Sequence, residues 1–423
     1  MEIQSKSYQL IAYCIAGLLA SLCVQAAEIP KTPTTSESGL SMAMEQAWRL
    51  SPQAAGLDAR ESEARAAQDV AAGLTPEPGS VSIGGLSDQF NRNQGKQEYE
   101  IELAVPLWLP GQQALRAAEA TSRINEAITR RAAVRLEISG ELRAAWWALA
   151  AVRNAKVLAT RRLETAQALE TNVMRRYRVG ELSRIDANLA QTETHAAGAE
   201  LVEAQTSLLQ AEQSVHILTG SPAPENLDEE PPEGPPITQK LPSESGIDTH
   251  PLLAATAAAA RSARARVQVA QAAQRGAPEL ALRVVRERGD FAETYTNSVG
   301  FRFKVPFSSD AHVKRETSAA QAEADQAEAE MLRNITRIKL DVQRARHDLQ
   351  SAQRQLAMAQ DRRQLSQENL RLAEKAFALG ESDLATLLRI RLAAFDADAF
   401  YDRQRVARAA AISRLNQALG VLL

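Results

Sequence analysis

The chain has little of what staples, ligates or fills a large globular core. Among 423 residues only two are cysteines, and aromatic side chains make up 4%. Both cysteines, Cys14 and Cys23, lie inside one N-terminal apolar run. A chain processed after that run has no thiol, so disulfides and thiolate metal sites are excluded in any redox compartment. Charge of one sign is also missing: the net charge is −3, which gives no hint of a nucleic-acid partner. The five histidines, His195, His216, His250, His312 and His347, are scattered without ligand spacing and read as surface residues. No nucleophile–base constellation, phosphate loop or metal-ligand cluster stands out, so the reading is a non-enzyme with no cofactor. Low aromatic content with abundant alanine suits closely packed helices.

Long apolar runs are absent too, except at the N-terminus. Lys6 precedes an apolar run from Leu10 to Val24, and Ala26 and Ala27 offer a cleavage site. Residues 1–26 are expected to be an export signal. The run is short for a spanning helix, and an uncleaved anchor is the weaker reading. A lipid anchor is not expected, because Tyr13 and Leu22 precede the cysteines where a small residue belongs.

What the chain does have is itself, twice. Shifted by 200 residues, Val105-Pro106-Leu107 falls on Val305-Pro306-Phe307, Gly180-Glu181 on Gly380-Glu381, and Gly220 on Gly420. The apolar positions Ile138, Leu142, Ala145, Leu149, Val152 and Ala159 fall on Ile338, Val342, Ala345, Leu349, Ala352 and Ala359. Their steps of four and three average the 3.5-residue period of a coiled-coil-like seam. Tandem copies of one unit constrain the architecture more than any single motif.

After the signal, residues 27–40 read as a flexible segment. The first repeat spans 41–220, beginning with a helical pattern from Ser41 to Gly73 that Pro76 and Pro78 end. Strands are expected near 80–87 and 97–106, then long helices over 111–178 and 183–219. Residues 221–246 form a Pro-rich, acidic linker, expected to stay solvated around the waist of the helices. The second repeat, 247–423, replays the plan with a helix from about His250 to Arg275. Its strands fall near 279–287 and 295–305, and its long helices over 310–379 and 383–419. Residues 112–179 contain no proline and one glycine, Gly140, so that helix would run ~100 Å. Helices of that length must pack lengthwise against others. Gly180 and Gly380 are in place to cap the long helices, and Ser183 and Asp383 to cap the returning ones. Trp146 and Trp147 are expected to fill a helix interface.

The strands alternate. Tyr99, Ile101, Leu103 and Val105 share one face, opposite Glu98, Glu100 and Glu102; Val299, Phe301, Phe303 and Val305 share one face, opposite Arg302 and Lys304. Apolar outside with charge inside is the membrane-barrel pattern, and an ordinary half-solvated sheet is the bland alternative. Four strands close no barrel and lipid tolerates no open edge, so a membrane reading requires several chains to share one barrel. Trp108 then sits where interfacial tryptophans are common.

At this point the chain resembles the TolC-type outer-membrane efflux channels over essentially its whole mature length. The stretches Tyr177-Arg178-Val179-Gly180-Glu181-Leu182-Ser183-Arg184-Ile185-Asp186 and Phe377-Ala378-Leu379-Gly380-Glu381-Ser382-Asp383-Leu384-Ala385-Thr386 match that family's signature at the periplasmic helix tips. The strand-to-helix junction at Pro106, Trp108 and Pro306, and the second tip through Arg389, look like members serving heavy-metal efflux pumps. The resemblance implies a mainly α fold with a small β part, built from two tandem helix–strand–strand–long helix–helix units. It implies a homotrimer whose twelve-stranded outer-membrane β-barrel continues as a twelve-helix periplasmic α-barrel. It further implies a periplasmic adaptor, an inner-membrane RND pump and outer-membrane lipid as partners, with the channel itself passive.

The resemblance assigns the periplasmic gate to Asp186, Asp383, Thr386 and Arg389. Asp186 carries over directly, whereas Thr386 stands where a gate aspartate is common. Either Asp383 supplies the second charge or Asp186 pairs with Arg389. The tips expected to meet the adaptor are Val179, Gly180, Glu181 and Ser183, with Leu379, Gly380 and Glu381. The barrel lumen is assigned Glu100, Glu102, Arg302 and Lys304. The expected function is an exit duct of a tripartite RND-type system carrying heavy-metal cations; the alternatives are an organic-compound duct or a periplasmic adaptor. A structural coiled-coil protein of the cell surface would not need charge alternation at matching places in both halves.

Overall fold

The computed structural model of the protein describes residues 39–91, 93–227, 229–230, 250–273, 276–307 and 309–423. The expected export signal, the segment from 27 to Ser38 and the linker from 231 onward lie outside the described residues.

In the first repeat, α1 (Gly39–Leu50), α2 (Pro52–Ala55) and α3 (Leu57–Ala72) lead to β1 (Ser80–Ser87) and β2 (Gln97–Pro106). The long α4 (Gln112–Arg178) and the returning α5 (Arg184–Thr219) follow. The second repeat consists of α6 (Pro251–Ala272), β3 (Glu279–Arg288), β4 (Thr296–Lys304), α7 (Asp310–Ala378) and α8 (Leu384–Ala418). The single helix expected from Ser41 to Gly73 is instead three helices. Pro52 drives Ser51 out of the helical region (ψ 122°), and the Ser51 hydroxyl then caps α2 by accepting from the Gln53 N–H at 3.2 Å. The pattern ends at Ala72, capped at Gly73, rather than at the prolines. Similarly α6 stops at Ala272, short of Arg275, which lies outside the described residues.

All four strands form one antiparallel sheet in the order β1-β2-β3-β4, leaving β1 and β4 as edges. The helices make a layer that changes members along its length. Near the sheet, α3 packs on α4, α4 on α6 and α6 on α7. Toward the far end, α5 packs on α4, α4 on α8 and α8 on α7. Thus α4 is interior throughout, while α5 and α7 do not touch among the described residues and form the two edges.

The main core lies at the waist, where the shorter helices end. Leu142 and Trp146 are wholly buried there, beside Trp147 and Ile138 of α4, Leu40 and Met44 of α1, and Val406 of α8. Two tryptophans supply most of the volume that an alanine-rich seam lacks. The single glycine of α4 has a packing reason: a Cβ on Gly140 would lie 2.9 Å from Gln417 Nε2. That approach lets Gln417 donate to the Leu136 carbonyl at 2.7 Å.

The linker is not solvated at Glu230. Its carboxylate takes a two-pronged contact from Arg143, with Nε 3.1 Å from both oxygens and Nη2 2.9 Å from Oε2. The Ser413 hydroxyl and the Asn416 amide also donate to it, and Arg143 Nη1 donates to Gln417 and to the Val421 carbonyl. Arg143 is buried and Glu230 nearly so. Buried charge is tolerated there because every prong is met. Arg143→Leu, which strands the Glu230 carboxylate, is expected to destabilise by about 3–5 kcal/mol, and Arg143→Leu/Glu230→Leu to recover much of that loss. Denaturant unfolding of the two variants measures both terms.

Candidate functional site: the inverted sheet and the helix tips

The sheet wears its apolar face outward. Register places Val81, Leu103, Leu282 and Phe301 in one row across the four strands, and Ile83, Ile101, Val284 and Val299 in the next. Val105, Leu280 and Phe303 make a third. Phe301 is 82% exposed and Ile83 80%, whereas Glu102 on the opposite face is 5% exposed. This inverts the arrangement of a water-soluble sheet.

The inner face carries paired charge. Glu102 forms an ion pair with Arg302, reaching over the small Ala281 of β3. Glu100 lies 3.5 Å from Arg283, and Lys304 lies 3.6 Å from Glu279. So Glu100, Glu102, Arg302 and Lys304 share the face opposite the apolar rows. Glu98, Glu279 and Glu287 stand on it too, giving five glutamates against Arg283, Arg302 and Lys304.

At the sheet's lower end the backbone turns into the long helices. The Leu107 N–H donates to the Pro278 carbonyl at 2.7 Å, tying β2's exit to β3's entrance. The half-buried Trp108 indole donates to the Gly73 carbonyl at 3.0 Å, which satisfies the C-terminus of α3. Pro106 closes β2, and Pro306 packs against Gly276, where a Cβ would sit 3.0 Å from its ring. Pro106, Trp108 and Pro306 thus each lie where a strand gives way to a long helix.

The two helix tips are built alike. Gly180 and Gly380 both adopt φ of +80°. Each donates its N–H to an aromatic residue's carbonyl, Tyr177 at 3.0 Å and Phe377 at 3.1 Å. Glu181 and Glu381 close the second bond, to Arg176 and Ala376, each at 2.9 Å. Both helices thus end in the same Schellman arrangement, and φ > 0 is what requires glycine there. The tips pack together through Leu169, Val173, Phe377, Leu384 and Leu387, with Arg176 over the Phe377 ring at 5.2 Å. Val179 and Leu379 remain exposed beside Gly180 and Gly380.

Their N-caps differ. Ser183 and Asp186 form a full capping box: the Ser183 hydroxyl accepts from the Asp186 N–H at 3.2 Å, and the Asp186 carboxylate accepts from the Ser183 N–H at 3.0 Å and its hydroxyl at 2.7 Å. In the second copy Asp383 does the capping, accepting from the Thr386 N–H at 2.7 Å. Among the described residues no ion pair joins Asp186 to Arg389, and Ser183 donates twice to one oxygen of that carboxylate. Hydrogen bonds from Thr386, with a smaller effect of the Arg389 charge, hold the Asp383 carboxyl below its usual range.

Two residues have clear roles that are absent from the sequence reading. Glu230 looked like one more acid in a polar linker. His250 looked like surface, yet it is buried and caps α6, its Nδ1 accepting from the Leu252 N–H at 3.2 Å. Burial lowers its pKa, keeping the ring neutral as that role demands. The cue for His250 was its place before Pro251, the preferred first residue of a helix.

Because Asp383 titrates below an unfolded aspartate, its cap stabilises α8 above the normal aspartate range and loses that effect as pH falls through the lowered value. Protection of the first amides of α8 from hydrogen exchange, relative to Asp383→Asn, is expected to fall over that acid window and not at neutral pH. A constant difference between the two proteins down to acid pH would refute it.

Residues 245–421 match the model of a family described as outer membrane efflux protein. Over 311 residues the chain is 28% identical to the cobalt-zinc-cadmium resistance protein CzcC of Cupriavidus metallidurans, covering 71% of this chain and 69% of that one. Among solved structures, the outer membrane protein VceC of Vibrio cholerae superposes with a TM-score of 0.73 at 17% identity, covering 90% of this chain and 96% of that one. The CmeC outer membrane channel of Campylobacter jejuni does so with a TM-score of 0.72 at 14% identity, over 93% and 90%. At those identities the two structures speak to the fold alone.

Proposed function

We propose that the chain, whose second repeat matches the outer membrane efflux protein model, is a passive exit channel of the outer membrane. The observation that carries this reading is the inverted sheet: apolar rows outside, paired charge inside, and two open edges. Water would not keep the first, and lipid would not tolerate the last. Both problems vanish when copies of the chain close one barrel with their β1 and β4 edges. Three copies supply twelve strands, within the range of outer-membrane barrels.

The helices support the same assembly. Met358, Leu365 and Leu372 of α7, with Leu379 at its C-cap, recur every seven residues, each more than half exposed. On α5, at the opposite edge of the layer, Val202 and Leu209 are exposed with the same spacing. A heptad stripe that faces nothing among the described residues is an unfilled coiled-coil seam. In this reading α7 of one copy meets α5 of the next, and the helices form a tube below the barrel.

The tips then ring the far end of the tube. Asp186, Asp383, Thr386 and Arg389 are the polar groups proposed for the gate. Val179, Gly180, Glu181, Ser183, Leu379, Gly380 and Glu381 are proposed as the face that a periplasmic adaptor contacts, with an inner-membrane RND pump beyond it. As cargo we infer heavy-metal cations. The relative's name speaks of cobalt, zinc and cadmium, and the excess of glutamate on the inner face favours cations by its field.

Leu365→Glu/Leu372→Glu is expected to leave the fold of each chain intact and to prevent assembly. Size-exclusion chromatography of the variant in detergent should then give monomer where the unaltered chain gives trimer, and a trimeric variant would remove this seam. The gate is tested by Asp186→Asn, which keeps an acceptor for Ser183 and removes the charge. In planar bilayers the unaltered channel is expected to be cation-selective and the variant to conduct severalfold more. Equal conductance would take Asp186 out of the constriction.

A further inference from the structure

Besides the three apolar rows, the outward face of the sheet carries only two ionisable charges, Arg286 and Arg288, both at the loop end of β3. They follow Leu280, Leu282 and Val284 on the same side of the strand, so Arg286 stands ~7 Å beyond the last apolar row. Glu287 between them points to the inner face. Tyr99 is the registered neighbour of Arg286 on β2, and Asn297 on β4. Tyr295 lies under both guanidinium groups, 4.8 Å from Arg286 and 4.9 Å from Arg288, and Phe291 lies 5.5 Å from Arg288. The Tyr295 hydroxyl is fixed in turn by Gln97, and Arg288 Nε donates to the Gly95 carbonyl at 3.0 Å.

No carboxylate neutralises this pair: among the described residues neither arginine forms an ion pair. The nearest loop acids are occupied with backbone. Glu293 accepts from the Gly289 N–H at 2.7 Å, and Asp290 from the Ala292 and Glu293 N–H groups at 2.6 and 3.0 Å. Elsewhere on the sheet, by contrast, Arg283, Arg302 and Lys304 all have glutamate partners. Two planar, pre-oriented, unpaired guanidinium groups just above an apolar band, bordered by tyrosines, match a phosphate at the boundary of a bilayer.

Resting on the barrel reading above, we propose that Arg286 and Arg288 form a lipid-facing site for the phosphate headgroup of an outer-leaflet lipid. The rings hold the forks open and the apolar rows seat the acyl chains. The site fixes the depth of the barrel in the membrane, because a charged pair at this height resists sinking into hydrocarbon.

The assembled full-length protein in neutral detergent is titrated with dioleoylphosphatidic acid or dioleoylphosphatidylcholine, and retained lipid is counted by native mass spectrometry. The expected preference for phosphatidic acid is about thirtyfold, near the combined effect of two arginines at a membrane surface. Arg286→Gln/Arg288→Gln should abolish the preference, and Arg315→Gln/Arg333→Gln, which removes two charges from the α7 surface, should keep it. Equal preference in the Arg286/Arg288 variant overturns the proposal. So does full displacement of the lipid by equimolar inorganic phosphate, which would make this a free-anion site. Flotation with phosphatidylcholine vesicles separates the two layers of inference. If the unaltered protein does not insert, the barrel reading itself fails and this site falls with it. If both proteins insert and only the lipid preference is lost, both readings stand.

Discussion

The structure turns on the backbone of two strands. Along the outer sides of β1 and β4 the N–H and C=O groups have no strand partner among the described residues, while the adjoining faces are apolar and exposed. In water the apolar rows oppose this arrangement, and in hydrocarbon each unpaired backbone group costs several kcal/mol. No rearrangement within one chain cures both, because flipping the sheet would bury the apolar rows at the expense of the Glu102–Arg302 face. In the proposed assembly, edge-to-edge closure with identical chains satisfies the two demands together. The helical layer has the same incompleteness, with α5 and α7 exposed at its margins.

The repeat solves a second problem by breaking its own symmetry. Positions related by the 200-residue shift are often complements rather than copies. Glu102 corresponds to Arg302, and the two meet as an ion pair across β3. Asp186 corresponds to Thr386 and Ser183 to Asp383, so the carboxylate passes from the third helical position to the cap itself. Tyr177 corresponds to Phe377, which is buried between hairpins where Tyr177 is only half-buried. The exposed stripe Met358, Leu365, Leu372 and Leu379 corresponds to Leu158, Thr165, Asn172 and Val179, a far less apolar set. Identical copies would pair like charges at the centre of the sheet and offer a sticky stripe on the interior α4. In the proposed assembly, divergence directs association to the margins, which is how specificity is set against wrong pairings.

How much of this was legible beforehand follows from the range of each interaction. Strand faces were readable because side-chain alternation is fixed by two-residue geometry and needs no tertiary knowledge. The tip glycines were readable because a positive φ leaves few choices. The division of the first helix at Ser51 lay in Pro52, whose effect on its predecessor is local, yet the surrounding helical period masked it. The unreadable parts are those where a partner lies far along the chain. Nothing near Glu230 tells that Arg143 and Ser413 will enclose it, and nothing near Gly140 announces Gln417. At the tips, the carboxylate at Asp186 was legible as a position, but its capture by Ser183 is a matter of side-chain geometry.

Packing strength is also graded along the helices, and this bears on where an opening motion is cheapest. At the waist, Trp146, Trp147, Leu142 and the Glu230 cluster join α1, α4, α8 and the linker through bulky and charged contacts. Beyond it the buried seam is mostly alanine: Ala159, Ala166, Ala190, Ala197, Ala359, Ala394 and Ala397. Alanine permits close approach but removes little apolar surface per residue, so sliding these helices sacrifices little burial. The tips are then held by one modest cluster and by exposed ion pairs such as Arg176–Glu181, each of small value. Low local stability belongs where a structure has to move. A channel that opens by unwinding its far end would therefore pivot below the waist, leaving the sheet and its charge pairs undisturbed.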